Sequence, residues 1–324
     1  MATNAGNENG GQHLAASGIG QQRFAGKTIV ITGAAGDIGS AAARRFFDEG
    51  CNVVLVDLDA AKPRLERLST ELTETNKASR VTSSSSSSSE KSRDTLVAVA
   101  DVRRRAEVDA VFERAWQQFG GVDFVFNNAG IQGYIGPSDT YDEDTFRQVM
   151  DVNVVGVFIV MQAAAAAIIK HRKESGGQKS QSQSQAVIVN TSSLAGLLGP
   201  PNMLAYTASK HAVIGMTRTA AKDLARHGIR VCAIAPGLLE GAMWSTQTRG
   251  QAACGKAADS GVPLSQVTLD DDEITAVGSR MLAGTAMKRL GTQDEVAGVL
   301  AFLCSSDASY LTGNVITIDG GRFC

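Results

Sequence analysis

TIVITGAAGDIG, Thr28–Gly39, joins an apolar strand-length run to a glycine-rich turn and the start of a helix-period segment. Glycines at the end of a first strand let a backbone approach a pyrophosphate. The N-terminus of the helix that follows favours negative charge. A lone glycine turn is a weak signal, because turns need glycine in any case; its place after a strand strengthens it. The next apolar run, NVVLVDLD (Asn52–Asp59), brings Asp57 to a strand end about 20 residues further on. A carboxylate there can accept both ribose hydroxyls of NAD and repels a 2′-phosphate, and no Lys or Arg intervenes between Gly33 and Arg44.

Beyond this unit the same texture repeats. Short runs, Thr28–Ile31, Val53–Val56, Leu96–Ala100, Phe124–Phe126, Ala186–Val189, Val231–Ala235 and Val315–Ile318, are mostly Val- and Ile-rich, as strands buried on both faces are. Helix-period segments alternate with them: Ile38–Glu49, Arg104–Phe119, Glu143–Lys170, Asn202–His227 and Gln293–Cys304. Gly50 and Gly228 are placed to end two of these in the left-handed conformation. Alternation of this kind predicts an α/β fold, a parallel sheet with helices on both faces. Residues 1–24 are read as a disordered tail. Insertions near 82–93, with the serine run Ser83–Ser89, and near 174–185 are read as mobile surface loops.

Composition narrows the function. The 324 residues carry 31 Lys+Arg against 33 Asp+Glu, a formal charge of −2, so there is no broad basic field for nucleic acid. Residues 1–24 lack a hydrophobic signal core, and the longest apolar stretch, Val152–Ile169, is broken by Asn153 and Gln162. No membrane span is expected. Five cysteines without a C-x-x-C pair read as reduced thiols, which points to a cytoplasmic protein with no assigned metal site.

Far downstream, YTASK places Tyr206 and Lys210 four residues apart, on one face of a helix. A tyrosine with a pKa near 10 serves as a base near neutrality only if a cation stabilises its phenolate, and an i+4 ammonium is positioned to do so. Thirteen residues before Tyr206, Ser193 lies in the strand-end turn VIVNTSSLAG, where a hydroxyl can polarise a carbonyl oxygen.

In order along the chain, TGAAGDIG, the strand-end Asp57, ADV (Ala100–Val102), NNAG (Asn127–Gly130), Asn153, Ser193, YTASK, PG (Pro236–Gly237) and the closing KRLGTQDEVAGVLAFLCSSDASYLTGNVITIDGG resemble the short-chain dehydrogenase/reductase family. The likeness runs from about Gly26 to Gly321. It implies a single-domain Rossmann fold, a doubly wound seven-stranded parallel sheet, with residues 25–324 as the domain. It also implies a nicotinamide dinucleotide, read here as NAD, and hydride transfer between a secondary alcohol and a ketone. By the same resemblance Tyr206 is the general acid/base and Lys210 lowers its pKa and binds the nicotinamide ribose. Ser193 rather than Ser192 orients the substrate, and Asn153 holds a water in a proton relay. Gly33, Gly36, Asp37, Ile38, Gly39, Asp57, Leu58, Asp101, Val102, Asn127, Ala129, Gly130, Pro236 and Gly237 line the cofactor. His211 is assigned to packing or solvent.

Two positions depart from the pattern. Asp37 stands where the turn T-G-x-x-x-G-x-G has its middle glycine. It is expected to point away from phosphate and cap a helix starting at Ile38. Gly241 stands where the segment after PG has a threonine, leaving Ser245, Thr246 or a backbone group to substitute. Residues 238–287 are read as a mobile substrate lid. Apolar faces on Val154–Ile169 and Ala205–Met216 predict a homodimer or homotetramer. A 3-oxoacyl-type carbonyl reductase and a non-catalytic dinucleotide-binding protein are the alternatives.

Overall fold

The computed structural model describes residues 22–82, 93–174 and 185–323. The tail to residue 21 and the bodies of both insertions lie outside the described residues. Phe24, assigned from sequence to the tail, belongs to the core: it is buried and stacks on Phe46 with ring centroids 4.9 Å apart. Arg23 beside it forms a salt bridge with the buried carboxylate of Glu49.

The strands are β1 (Thr28–Thr32), β2 (Asn52–Asp57), β3 (Thr95–Val99), β4 (Phe124–Asn127), β5 (Ala186–Thr191), β6 (Ile229–Pro236) and β7 (Val315–Ile318). They form one seven-stranded sheet in the order β3-β2-β1-β4-β5-β6-β7, with every pairing parallel. Side chains alternate between its faces. Ile29 and Ile31 enter the layer with Phe46, Phe47, Leu65 and Leu300, from α1 (Asp37–Asp48), α2 (Lys62–Thr82) and α9 (Gln293–Cys304). Val30 faces the opposite layer, with Phe112, Val160 and Ala220 from α3 (Arg105–Phe119), α5 (Val157–Glu174) and α6 (Leu204–Leu224). Burying both faces of a strand rewards Val and Ile at consecutive positions, which is why the strands read as unbroken apolar runs. Each fully buried large side chain contributes about 1.5–3 kcal/mol. The strand order reverses between β1 and β4, and this opens a crevice beyond the carboxyl ends of the strands.

Two local features go beyond the sequence reading. The segment read as one helix over Glu143–Lys170 is α4 (Glu143–Met150) and α5, joined by a π-helical turn over Asp151–Gly156 that carries Asn153. The run Glu143–Glu174 is long and apolar enough to cross a membrane by length and composition, but half of its apolar window is buried inside the protein, as in a core helix. Residues 238–287, read as a mobile substrate lid, carry two helices, α7 (Ala242–Ser260) and α8 (Asp271–Ala283). Alanine-rich α7 has the propensity for it. Gly250 lets Ile135 pack closely, since a Cβ there would lie 2.7 Å from Ile135 Cδ1. Asp270 and Glu273 form a reciprocal capping box at the start of α8.

Candidate active site

A cavity of about 1070 Å³ opens at the crevice, beneath α7 and α8. It is at the upper end of the roughly 300–1,000 Å³ typical of small-molecule sites. Gly33, Gly36, Asp37 and Ile38 line one end, with Asp57, Leu58, Asp101 and Val102. Ala129, Gly130, Ser193, Tyr206, Lys210, Pro236 and Gly237 line the other. Three residues assigned to the site from sequence stand behind its wall. Asn127 is buried and donates from Nδ2 to the Val157 carbonyl (2.9 Å) and to Asn190 Oδ1 (3.1 Å), bracing the sheet against α5. Its neighbour Asn128 lines the cavity instead. Gly39 is needed for packing, because a Cβ would sit 2.1 Å from the Gly33 carbonyl oxygen. Asn153 accepts the Ile131 N–H at Oδ1 (2.8 Å). It donates from Nδ2 to the Ile131 carbonyl (2.8 Å) and to Ser209 Oγ (3.1 Å), so its carboxamide clamps a loop to α6.

The glycine end has the form of an anion cradle. Gly33 has φ +66, and a Cβ there would approach Ala129 Cα to 3.0 Å. Helix α1 starts without a side-chain cap, so its first N–H groups face the turn. Asp57 is fixed at the end of β2: Oδ2 accepts the Ala35 N–H (3.0 Å) and Oδ1 the Leu58 N–H (2.8 Å). Both Asp101 carboxylate oxygens accept hydrogen bonds from the Arg103 guanidinium, and Oδ1 also from the Arg103 N–H, which holds the carboxyl below the usual carboxylate range. Glycine backbone, a helix N-terminus and a fixed strand-end carboxylate are the donor and acceptor set that a dinucleotide's pyrophosphate and ribose require.

Asp37 corrects the sequence reading. Helix α1 begins at Asp37, with Gly36 as N-cap, and the Asp37 side chain caps nothing in α1. Oδ2 instead accepts the N–H of Ala242, the first residue of α7, at 3.2 Å. Gly241 precedes it with φ +112, and a Cβ there would lie 2.3 Å from Asp37 Oδ2. The two departures from the family pattern therefore meet in one contact. Ser245 and Thr246, offered as substitutes for the missing threonine, line a separate cavity with Tyr134 and Arg249, on another face of α7.

Tyr206 and Lys210 lie one turn apart on α6, both buried. Ser193 caps a short 3-10 turn after β5; its Oγ accepts the Ala195 N–H (3.2 Å), and it lines the cavity with Tyr206. Ser192 is occupied elsewhere, donating to the Lys210 carbonyl at 2.9 Å. Lys210 Nζ donates to the Thr191 carbonyl (2.9 Å) and stands 5.5 Å from the Tyr206 ring centroid. Burial pushes the Lys210 ammonium down to about 8. Burial also pushes the Tyr206 phenol up, opposed by the Ser193 hydroxyl. Desolvation acts against the charged form of both groups. The Thr191 carbonyl is a partner the sequence reading missed; only its place at the end of β5 hinted at it. His211 is exposed, with Nδ1 3.0 Å from the Thr207 carbonyl, as expected. Among the described residues no group of three or more His, Cys, Asp or Glu side chains could hold a metal ion.

A parallel sheet with a dinucleotide cradle at its switch point, and a hydroxyl, a phenol and an ammonium at the far end of one cavity, define a nucleotide-dependent oxidoreductase. Comparison with known proteins specifies which. The sequence model described as "short chain dehydrogenase" matches residues 27–252, and one described as "Enoyl-(Acyl carrier protein) reductase" matches residues 270–322. Levodione reductase of Leifsonia aquatica is 32% identical over 300 residues, covering 93% of this chain and 95% of its own. A 3-oxoacyl-[acyl-carrier-protein] reductase of Thermotoga maritima is 34% identical over 299 residues, covering 92% and 98%. The solved structure of NAD+-bound xylitol dehydrogenase superimposes with a TM-score of 0.76 at 34% identity, covering 92% of this chain and 100% of that one. The chain belongs to the short-chain dehydrogenase family and is an oxidoreductase using a nicotinamide dinucleotide.

Proposed function

We propose that this protein interconverts a secondary alcohol and a ketone, with NAD(H) preferred and Tyr206 as the proton-transfer group. The observation that carries the reading is that Ser193, Tyr206 and Lys210 line the same cavity as the glycine turn, with Tyr206 and Lys210 buried one helical turn apart and the Lys210 ammonium 5.5 Å from the Tyr206 ring centroid. A bound dinucleotide supplies the carbon that takes or gives the hydride and, when oxidised, a positive charge in the cavity. The chain's own residues do the rest. Gly33, Gly36 and the first N–H groups of α1 hold the pyrophosphate, and Asp57 holds the ribose hydroxyls. In oxidation the Tyr206 phenolate takes the hydroxyl proton of the substrate; in reduction the phenol returns it. Ser193 steadies the charge that develops on the substrate oxygen, a role worth roughly 10²–10³ in rate. Lys210, fixed by the Thr191 carbonyl, favours the phenolate whenever it is protonated. Asn153 keeps the loop carrying Ile131 in place, and any part in a proton relay falls to its backbone, because its side chain is already bonded.

The NAD preference rests on Asp57, whose two backbone hydrogen bonds fix its charge at the cavity wall. Arg64 lines the same end but is exposed on α2, and a mobile surface cation offsets a fixed carboxylate poorly. Val155 in the π-helical turn, Phe158 on α5 and Leu204 on α6 are exposed, consistent with a homodimer or homotetramer. The buried free thiols Cys51, Cys232, Cys254 and Cys304 suit a reducing compartment such as the cytoplasm. A screen of secondary alcohols and ketones against NAD(H) and NADP(H) tests the reading. Turnover of at least one pair is expected, and inactivity across the screen would favour a non-catalytic dinucleotide-binding protein.

A further inference from the structure

Gln132 is out of keeping with its surroundings. It lines the cavity, is 9% exposed, and neither Oε1 nor Nε2 has a hydrogen-bond partner among the described residues. Its loop is not free to swing the amide out. Asn153 bonds both the N–H and the carbonyl of Ile131. The Tyr141 hydroxyl donates to the Tyr134 carbonyl at 2.9 Å, and the Gly136 N–H donates to the Asn202 carbonyl at 2.9 Å. The Asn153 clamp also reaches Ser209 Oγ on α6, the helix of Tyr206 and Lys210. A buried amide without partners destabilises a fold, and such groups persist where a ligand completes them.

We propose that Gln132 is a specificity-determining residue that hydrogen-bonds a second oxygen of the substrate. The substrate class is then a neutral alcohol or ketone bearing a further hydroxyl or carbonyl oxygen on a largely apolar skeleton. The carboxamide offers one acceptor and two N–H donors, so a hydroxyl can engage either end and a carbonyl the nitrogen. Neutrality is inferred from the wall: Leu194, Met203 and Trp244 line the cavity with Gln132, whereas Glu240 and Arg280 are exposed and the half-buried Arg322 is engaged by the Met281 carbonyl. The inference rests on the reading of Ser193 and Tyr206 as the groups that engage the reacting oxygen.

The test compares cyclohexanol with 1,2-cyclohexanediol, and cyclohexanone with 2-hydroxycyclohexanone, for the wild type and Gln132→Met. The wild type should prefer the dioxygenated member by at least about 10² in kcat/KM, because a site built to bond a hydroxyl rejects the analogue lacking it. Gln132→Met should shrink that ratio to below about tenfold while keeping the rate on the mono-oxygenated member. It should also raise the melting temperature of the ligand-free protein by about 2 °C or more, since an orphaned amide has been replaced by an apolar chain of similar size. A lower melting temperature, or failure to fold, would show that the amide is bonded inside the protein and overturn the proposal. Weakened NADH binding with an unchanged substrate ratio would overturn it by assigning Gln132 to the cofactor. Equal wild-type activity on both members overturns this inference alone, whereas inactivity on all four compounds with both cofactors overturns the hydride-transfer reading and this inference with it.

Discussion

Gly241→Ala probes the contact between the glycine turn and the lid. The added Cβ would stand 2.3 Å from Asp37 Oδ2, so the carboxylate must leave its bond to the Ala242 N–H. That bond is solvent-exposed and worth about 0.5–1.5 kcal/mol. The backbone term is the larger one. Gly241 has φ +112 and ψ −170, a region essentially confined to glycine, and forcing another residue into it costs about 1–3 kcal/mol. Together they predict a loss of about 2–4 kcal/mol. In a two-state transition of a chain this long, the loss appears as a fall in melting temperature of several degrees. If the lid opens separately, it appears instead as faster hydrogen exchange across α7. Thermal denaturation and exchange should be measured on Gly241→Ala, Asp37→Gly and the double variant. Once Asp37 is gone the steric part vanishes, so the double variant should lose about 1 kcal/mol less than the sum of the singles. Strictly additive losses, or a neutral Gly241→Ala, would refute the coupling.

Three further outcomes follow from the structure. Wild-type protein should bind NAD(H) at least tenfold more tightly than NADP(H), and Asp57→Ala should narrow the gap; a titration showing wild-type preference for NADP(H) would contradict this. Burial lowers the Lys210 pKa to about 8 in the fold, against 10.5 for an unperturbed lysine. Between those values the unfolded chain binds more protons, so stability rises with pH there by up to about 3 kcal/mol, and below pH 8 the buried charge is a fixed cost. Lys210→Met should therefore be more stable than wild type at pH 7 and lack that rise, as denaturation at pH 7 to 10 would show. Light scattering at micromolar concentration should report a dimer or tetramer, and a 34 kDa monomer would count against the exposed faces of α5 and α6 as interfaces.

The strands were legible because burial on both faces leaves a purely local mark: Ile29, Val30 and Ile31 serve opposite layers yet adjoin in sequence. Ser193, Tyr206 and Lys210 were legible through the helical i+4 spacing and the strand-end turn. The helical form of Ala242–Ser260 was not, because its alanines are interspersed with polar residues and glycine, and its packing on Ile135 and its contact with Asp37 are long-range. That contact joins residues 205 apart in sequence, so Asp37 and Gly241 read as two unrelated oddities. The burial of Tyr206 and Lys210, which opposes the charged form of each, was not legible for a related reason. Spacing shows which charges are neighbours, whereas desolvation depends on everything that covers them.

The proton role of Tyr206 is the centre of the account, and Tyr206→Phe tests it most directly. Turnover with the best alcohol found in the screen should be measured across pH, alongside fluorescence titration of NADH. The wild-type oxidation rate should climb with pH, because burial holds the phenol up and the phenolate is the reactive form. The Phe variant should bind NADH nearly as well, lose turnover by roughly 10²–10⁴, and lose that pH limb. Wild-type turnover with an unchanged pH profile in Tyr206→Phe would contradict the account.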